Sequence, residues 1–197
     1  MKCFVCSHHV ELATFKFNDL NLCLMNVLEL FKNITTFVFD VDGVLTDSTI
    51  LLLENGLQAR RMHIKDGLAL QMAKKNGFGV VIISGANSKP VIERVNNLGI
   101  GDVFMSIENK KEFLGNYIKS HGLKWEELLF MGDDLPDLMT MKAVGVSACP
   151  ADAVIEVKET ASYISPLNGG LGCVRDIIEK VLKVQGKWIF DTSVTSR

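Results

Sequence analysis

Thr36-Phe37-Val38-Phe39-Asp40-Val41-Asp42-Gly43-Val44-Leu45-Thr46-Asp47 passes from apolar residues directly into two carboxylates one residue apart. An apolar run without alternation reads as a strand covered on both faces, the kind that builds a parallel sheet. A carboxylate at the end of such a strand stands where open α/β sheets carry their sites. Gly43 lets the chain turn so that Asp40 and Asp42 face one cavity.

The residues that follow alternate strands with helices. Strands are predicted over Gly79–Ser84, Val103–Met105, Leu128–Gly132, Val144–Ala148 and Tyr163–Ile164. Helices are predicted from Asp66 to Asn76, from Ser88 as cap to near Gly99, from Lys110 to His121, from Leu135 to Ala143, from Ala153 to Thr160, and after the loop Asn168–Gly172 to about Val184. Glu54-Asn55-Gly56, between Ile50–Leu53 and Leu57–His63, predicts a hairpin with a type I′ turn. The expected architecture is an α/β fold, a doubly wound Rossmann-like parallel sheet with a β-hairpin flap. Residues 34–185 form its core, 1–33 an N-terminal extension and 186–197 a C-terminal tail.

The 197 residues suit one domain, and a hydrophobic share of 48% is enough for a sizeable core. A net charge of −2 gives no basic field for nucleic acid or an anionic membrane. No run approaches the roughly 18 apolar residues of a membrane span. Five scattered cysteines fit a reducing cytoplasm better than a disulfide framework. Cys3, Cys6, His8 and His9 have zinc-ligand chemistry, but crowded into one terminal heptad they read as a plain chain end. Met25 precedes the first strand closely enough to be an alternative start. Met131, Met139 and Met141 read as core filler. Arg60, Arg61 and Lys65 read either as a solvated hairpin face or as anion contacts.

An Asp-x-Asp pair alone is often a solvated turn, and glycosyltransferases also use one to hold a metal. Here three more groups stand in order at strand or helix ends: Ser84-Gly85, Lys110 after Asn109, and Gly132-Asp133-Asp134 with Asp137 a helical turn on. Carboxylates from distant segments make an all-oxygen site suited to magnesium. A lysine and a metal can neutralise phosphoryl oxygens. One carboxylate can attack phosphorus, and a second can protonate the leaving oxygen and then activate water. The set suits phosphoryl transfer.

Those four segments resemble the four motifs of the haloacid dehalogenase phosphatases, from about Ile34 to Val184. Among these the chain is similar to the 3-deoxy-D-manno-octulosonate 8-phosphate phosphatases, through Glu54-Asn55-Gly56, Ile64-Lys65-Asp66-Gly67, Pro150-Ala151-Asp152-Ala153 and Asn168 to Arg175. The resemblance implies Asp40 as nucleophile and Asp42 as general acid/base. It implies magnesium held by the Asp40 carboxylate, the Asp42 backbone carbonyl and Asp133. Ser84, Gly85 and Lys110 would hold the phosphoryl group, with Lys111 as the competing lysine and Asp134 and Asp137 in support. Thr46, Arg60, Lys65, Asp66 and Gly67 are candidate substrate contacts. The implied substrate is a sugar-acid phosphate of lipopolysaccharide precursor synthesis, with a nine-carbon sialic-type acid 9-phosphate or a non-catalytic assembly role as alternatives. Ala86 stands where such relatives often carry arginine.

There is room for no cap domain between Asp42 and Ser84 or between Ser84 and Lys110. A capless site must be closed by another chain, and the resemblance implies a homotetramer packed through the hairpins. Lys187-Trp188-Ile189-Phe190 is a candidate lid on a neighbour's site, unless Trp188 and Phe190 fold back on their own core.

Overall fold

The computed structural model describes residues 27–189. A first helix, α1, covers residues 27–31. The order thereafter is β1 (Thr36–Phe39), hairpin strands β2 (Leu51–Leu52) and β3 (Gln58–Ala59), α2 (Ile64–Lys75), β4 (Gly79–Ile83), α3 (Lys89–Asn97), β5 (Asp102–Phe104), α4 (Lys110–His121), β6 (Leu128–Met131), α5 (Leu138–Met141), β7 (Val146–Cys149), α6 (Ile155–Thr160), β8 (Tyr163–Ile164) and α7 (Cys173–Val184). Six strands form one sheet in the order β5-β4-β1-β6-β7-β8, every pair parallel. The doubly wound sheet expected from the apolar runs is therefore present.

All four β1 residues are buried because the sheet is covered twice. Phe37 and Phe39 point into one layer with Ala69 and Leu70 of α2, Val95 of α3 and Ile177 of α7. Val38 points into the other layer with Leu114 of α4, Met141 of α5 and Val157 of α6. Truncating Phe37, fully buried in this core, would cost about 3–5 kcal/mol by lost transfer energy plus a cavity. Phe31 and Ile34 also belong to the core, and Gln185 Nε2 donates to both their carbonyls at 2.9 and 2.7 Å.

Several local expectations need correction. The hairpin turn is not type I′, because Gly56 has φ 79° while Asn55 is not among the positive-φ residues. Glu54-Asn55-Gly56 is a three-residue loop in which Gly56 N donates to Leu53 O and Leu53 N to Leu57 O, both at 2.9 Å. Asn55 Oδ1 accepts from Leu57 N at 3.1 Å and fixes the bend. Ser88 stands at the N-cap of α3 but its side chain makes no capping bond. Met139 is 58% exposed and so is not core filler, whereas Met131 and Met141 are buried. Trp188 packs against the core with Arg175 5.4 Å over its ring, while Phe190 and the Cys3–His9 cluster lie outside the described residues.

Among the described residues, only the hairpin, α2 and the sheet strand β4 separate Asp42 from Ser84, and only α3 and β5 separate Ser84 from Lys110. No cap domain is present there. No described helix is long and apolar enough to cross a membrane.

Candidate active site

Neighbouring strands β1, β4 and β6 end at one edge of the sheet, and their C-terminal residues meet in a cavity of about 480 Å³ lined by Asp40, Asp42, Ser84, Gly85, Lys110 and Asp133, among others. Asp40 follows β1 directly, and its N–H donates to Met131 O of β6 at 3.1 Å. The chain then makes one wide turn over Val41–Leu45, closed by Thr46 N on Val41 O at 3.0 Å and broken at Asp42 and Gly43. A Cβ on Gly43 (φ 87°) would lie 1.9 Å from Asp133 Oδ2, so only glycine lets the β6 carboxylate reach the β1 loop.

Lys110, at the start of α4, is 6% exposed and forms ion pairs with Asp40 Oδ1 at 2.9 Å and Asp137 Oδ1 at 2.7 Å. Lys111 is exposed. Asp137 is buried and its Oδ2 accepts from Asp133 N at 3.1 Å, so one carboxylate fixes both the lysine and the β6 loop. Asp134 is exposed and caps the turn Leu135–Asp137 through Leu135 N at 2.8 Å. Ser84 is buried; its hydroxyl accepts from Ala86 N at 3.1 Å, which shapes the loop carrying Gly85.

The carboxylates of Asp40, Asp133 and Asp137 each place an oxygen within 4.8 Å of the other two. Burial, with repulsion from Asp137, pushes the Asp40 carboxyl up to about 6 despite Lys110. Burial first, then repulsion from Asp40, Asp137 and Asp134, pushes Asp133 up to about 7. Burial alone would lower the Lys110 ammonium, but Asp40 and Asp137 outweigh it and raise it above its ordinary value. Three close carboxylates with one ammonium lack positive charge, and an all-oxygen donor set of this kind fits a hard divalent cation.

The Asp42 carboxylate turns away from that cluster. Its Oδ1 and Oδ2 accept from Arg60 Nε at 2.7 Å and Nη2 at 3.4 Å. Thr46, fully buried, accepts from Gly43 N at 3.3 Å and donates weakly to Asp42 Oδ1 at 3.5 Å, so it shapes the loop and is out of a substrate's reach. Lys65, Asp66 and Gly67 do not line the cavity. Lys65 is exposed beside Arg175. Asp66 is buried, its Oδ1 accepts from Arg175 N at 2.8 Å at the start of α7, and burial raises its pKa. Gly67 faces α3, where a Cβ would lie 3.0 Å from Arg94 Nη2. The Ile64–Gly67 segment thus joins helices.

Ser48 is a cavity residue that the sequence reading passed over. Its φ of 58° is unusual for a residue with a side chain, and its hydroxyl donates to Asp133 Oδ2 at 3.4 Å. Nothing in the Thr46-Asp47-Ser48 sequence signals that backbone.

No protein-family model matches the chain. It is 34% identical over 163 residues to the 3-deoxy-D-manno-octulosonate 8-phosphate phosphatase of Haemophilus influenzae, covering 82% of this chain and 91% of that relative. Its structure is similar to a haloacid dehalogenase superfamily hydrolase of subfamily III A from Legionella pneumophila, with TM-score 0.84 and 31% identity over 86% of this chain and 93% of that one. It is likewise similar to the 3-deoxy-D-manno-octulosonate 8-phosphate phosphatase of Moraxella catarrhalis, solved with magnesium, phosphate and the sugar acid. There the TM-score is 0.81 and the identity 31%, over 83% of this chain and 93% of that one.

Proposed function

The chain belongs to the 3-deoxy-D-manno-octulosonate 8-phosphate phosphatases of the haloacid dehalogenase superfamily and is a phosphoric monoester hydrolase, and from that premise we propose that it releases phosphate from a sugar-acid phosphate, 3-deoxy-D-manno-octulosonate 8-phosphate, in a cytoplasmic step of lipopolysaccharide precursor synthesis. The observation that carries the chemistry is the meeting of Asp40, Asp133 and Asp137 around Lys110 at the ends of β1 and β6.

In this reading Asp40 is the nucleophile. One of its carboxylate oxygens attacks phosphorus while the bond from phosphorus to the sugar oxygen breaks. The proton that the departing oxygen needs comes from Asp42. Water then gives a proton to Asp42 and attacks phosphorus, breaking the bond from phosphorus to the Asp40 oxygen and restoring the Asp40 carboxylate and the Asp42 acid. Lys110 offsets the phosphoryl charge, and the Ser84 hydroxyl with the Gly85 backbone holds the remaining oxygens. Asp137 keeps Lys110 and Asp133 in register, and Asp134 holds the loop between them. Asp40, Asp133 and the Asp42 carbonyl would hold Mg²⁺, with Asp137 close enough to join or replace one of them. The ion would neutralise the phosphoryl oxygens when bound.

The same reading makes the protein an oligomer, a tetramer by family. Leu51, Leu52 and Leu57 of the hairpin are 64%, 73% and 62% exposed, an apolar edge that a lone protomer would gain nothing by displaying. The test of substrate is phosphate release with Mg²⁺ across eight-carbon and nine-carbon sugar-acid phosphates. A marked preference for the eight-carbon compound is expected, and equal turnover of plain sugar phosphates would defeat the assignment.

A further inference from the structure

Two cavities lie on either side of the Arg60–Asp42 pair, and their charges are opposite. The catalytic one is lined by six carboxylate side chains, Asp40, Asp42, Glu108, Asp133, Asp134 and Asp137, against the single ammonium of Lys110. The other, of about 760 Å³, lies between the hairpin and the start of α3. Leu53, Leu57, Met62 and Pro90 give it apolar walls, and Arg60, Lys89 and Arg94 give it three cations with no carboxylate. A ligand spanning both would place its metal-bound phosphoryl group in the first and a second anion in the second.

Arg60 is the link. It lines the cationic cavity, yet its guanidinium is turned to Asp42 at 2.7 and 3.4 Å with only 6% of its side chain exposed. Both Asp42 oxygens are thereby engaged, Oδ1 by Thr46 as well. In that position the carboxylate of the acid/base serves an arginine rather than a leaving oxygen. A planar guanidinium suits a carboxylate through two parallel bonds, so a carboxylate arriving from the cationic cavity competes for it on equal terms with Asp42.

We infer that Arg60 is a specificity-determining residue: the substrate's own carboxylate takes Arg60 over, and the exchange frees Asp42 to face the leaving-group oxygen. The inference rests on the proposed reading of Asp42 and of a sugar-acid substrate. It gives the enzyme a reason to prefer acids. A phosphate ester without a carboxylate leaves Asp42 latched and must break the pair without compensation.

The test compares wild type, Arg60→Gln and Arg60→Lys on 3-deoxy-D-manno-octulosonate 8-phosphate and on ribose 5-phosphate, which lacks a carboxylate, with kcat and KM measured separately. In Arg60→Gln, kcat/KM on the sugar acid should fall about 10- to 100-fold, mostly through KM, the worth of one charged hydrogen-bonded contact. On ribose 5-phosphate kcat should rise about two- to fivefold, since a partly exposed ion pair no longer has to open. Arg60→Lys keeps the charge without the fork, and its selectivity should lie between the two. Equal losses on both substrates, or an unchanged preference, overturn the inference, because Arg60 would then only brace the loop. Wild-type protein that releases no phosphate from any sugar-acid phosphate instead sinks the reading of function, a separable outcome.

Discussion

The floor of the catalytic cavity and the hairpin above it are built by opposite means. At the floor, Asp40 and Lys110 are 8% and 6% exposed, and each is held by neighbours from other strand or helix ends. In the hairpin, two-residue strands carry leucines that are mostly exposed, and Arg60 is the side chain that reaches down to Asp42. A site that must hold like charges together has to be fixed by the rigid sheet. A part that chooses substrates and partners can stand on a short ribbon, which is only marginally stable by itself. In the proposed reading, chemistry and recognition are thereby separated along one short path from Asp40 through Asp42 to Arg60.

That contrast breaks most readily at Lys110. Replacing it by Met leaves Asp40 and Asp137 buried without a cation. Stability near neutral pH should drop by about 3 kcal/mol, less whatever the carboxylates recover by taking up protons. Turnover should fall at least about a hundredfold. Urea unfolding and phosphate release measure the two, and a variant as stable as wild type would show that the floor is not electrostatically locked.

A smaller effect follows from the raised carboxylates. Asp40 near 6 and Asp133 near 7 lie above the ordinary aspartate value of 3.8. The folded state therefore binds these protons more tightly than the unfolded chain. The associated stability is fully present below about pH 4 and is lost as pH rises through about 6 to 7. Metal-free protein should show Tm falling between pH 5 and pH 8 by a few degrees beyond its general trend. Saturating Mg²⁺, which favours the ionised forms, should flatten or reverse that fall. Differential scanning fluorimetry with and without Mg²⁺ decides it, and a metal-independent profile would contradict the shared-cation reading of the floor.

In the hairpin, substitutions should act on assembly and hardly on the protomer. Leu51→Asp with Leu52→Asp should shift light scattering toward the monomer while changing protomer stability by about 0.5 kcal/mol or less. A wild-type monomer at working concentration that still turns over substrate would remove the oligomer from the proposal. Smallest of all, Ser48→Gly releases a left-handed backbone and should raise stability by up to about 1 kcal/mol, read by thermal unfolding. A loss of stability would mean that the Asp133 contact outweighs the strain.

Much of the floor was legible in the sequence, because residues placed just after apolar runs must meet where parallel strands end. Asp40, Ser84 and Asp133 were found that way, whereas Lys110 was found at a helix start and chosen over Lys111 by resemblance. The hairpin was legible as a hairpin but not in its turn, since Asn55-Gly56 allows either a two-residue turn or the three-residue loop observed, and packing chose between them. Asp66 and Gly67 were candidates through the family resemblance of Ile64-Lys65-Asp66-Gly67. Only the fold shows Asp66 bonded to the N-terminal turn of α7 and Gly67 pressed on α3. Ser48 left no trace because a positive φ in serine has no composition signal. That Arg60 pairs with Asp42 depends on how the hairpin folds over the site, a distance across 18 residues that periodicity cannot supply.

The central claim is that Asp40 takes the phosphoryl group. It is tested most directly by phosphate release from 3-deoxy-D-manno-octulosonate 8-phosphate with Mg²⁺, for wild type and Asp40→Asn, after circular dichroism has shown both to be folded. Asparagine keeps the shape of the side chain but cannot attack phosphorus, so turnover should fall at least about a thousandfold. A folded Asp40→Asn protein that keeps more than about a tenth of wild-type turnover would contradict the assignment, since a lost nucleophile costs far more than that.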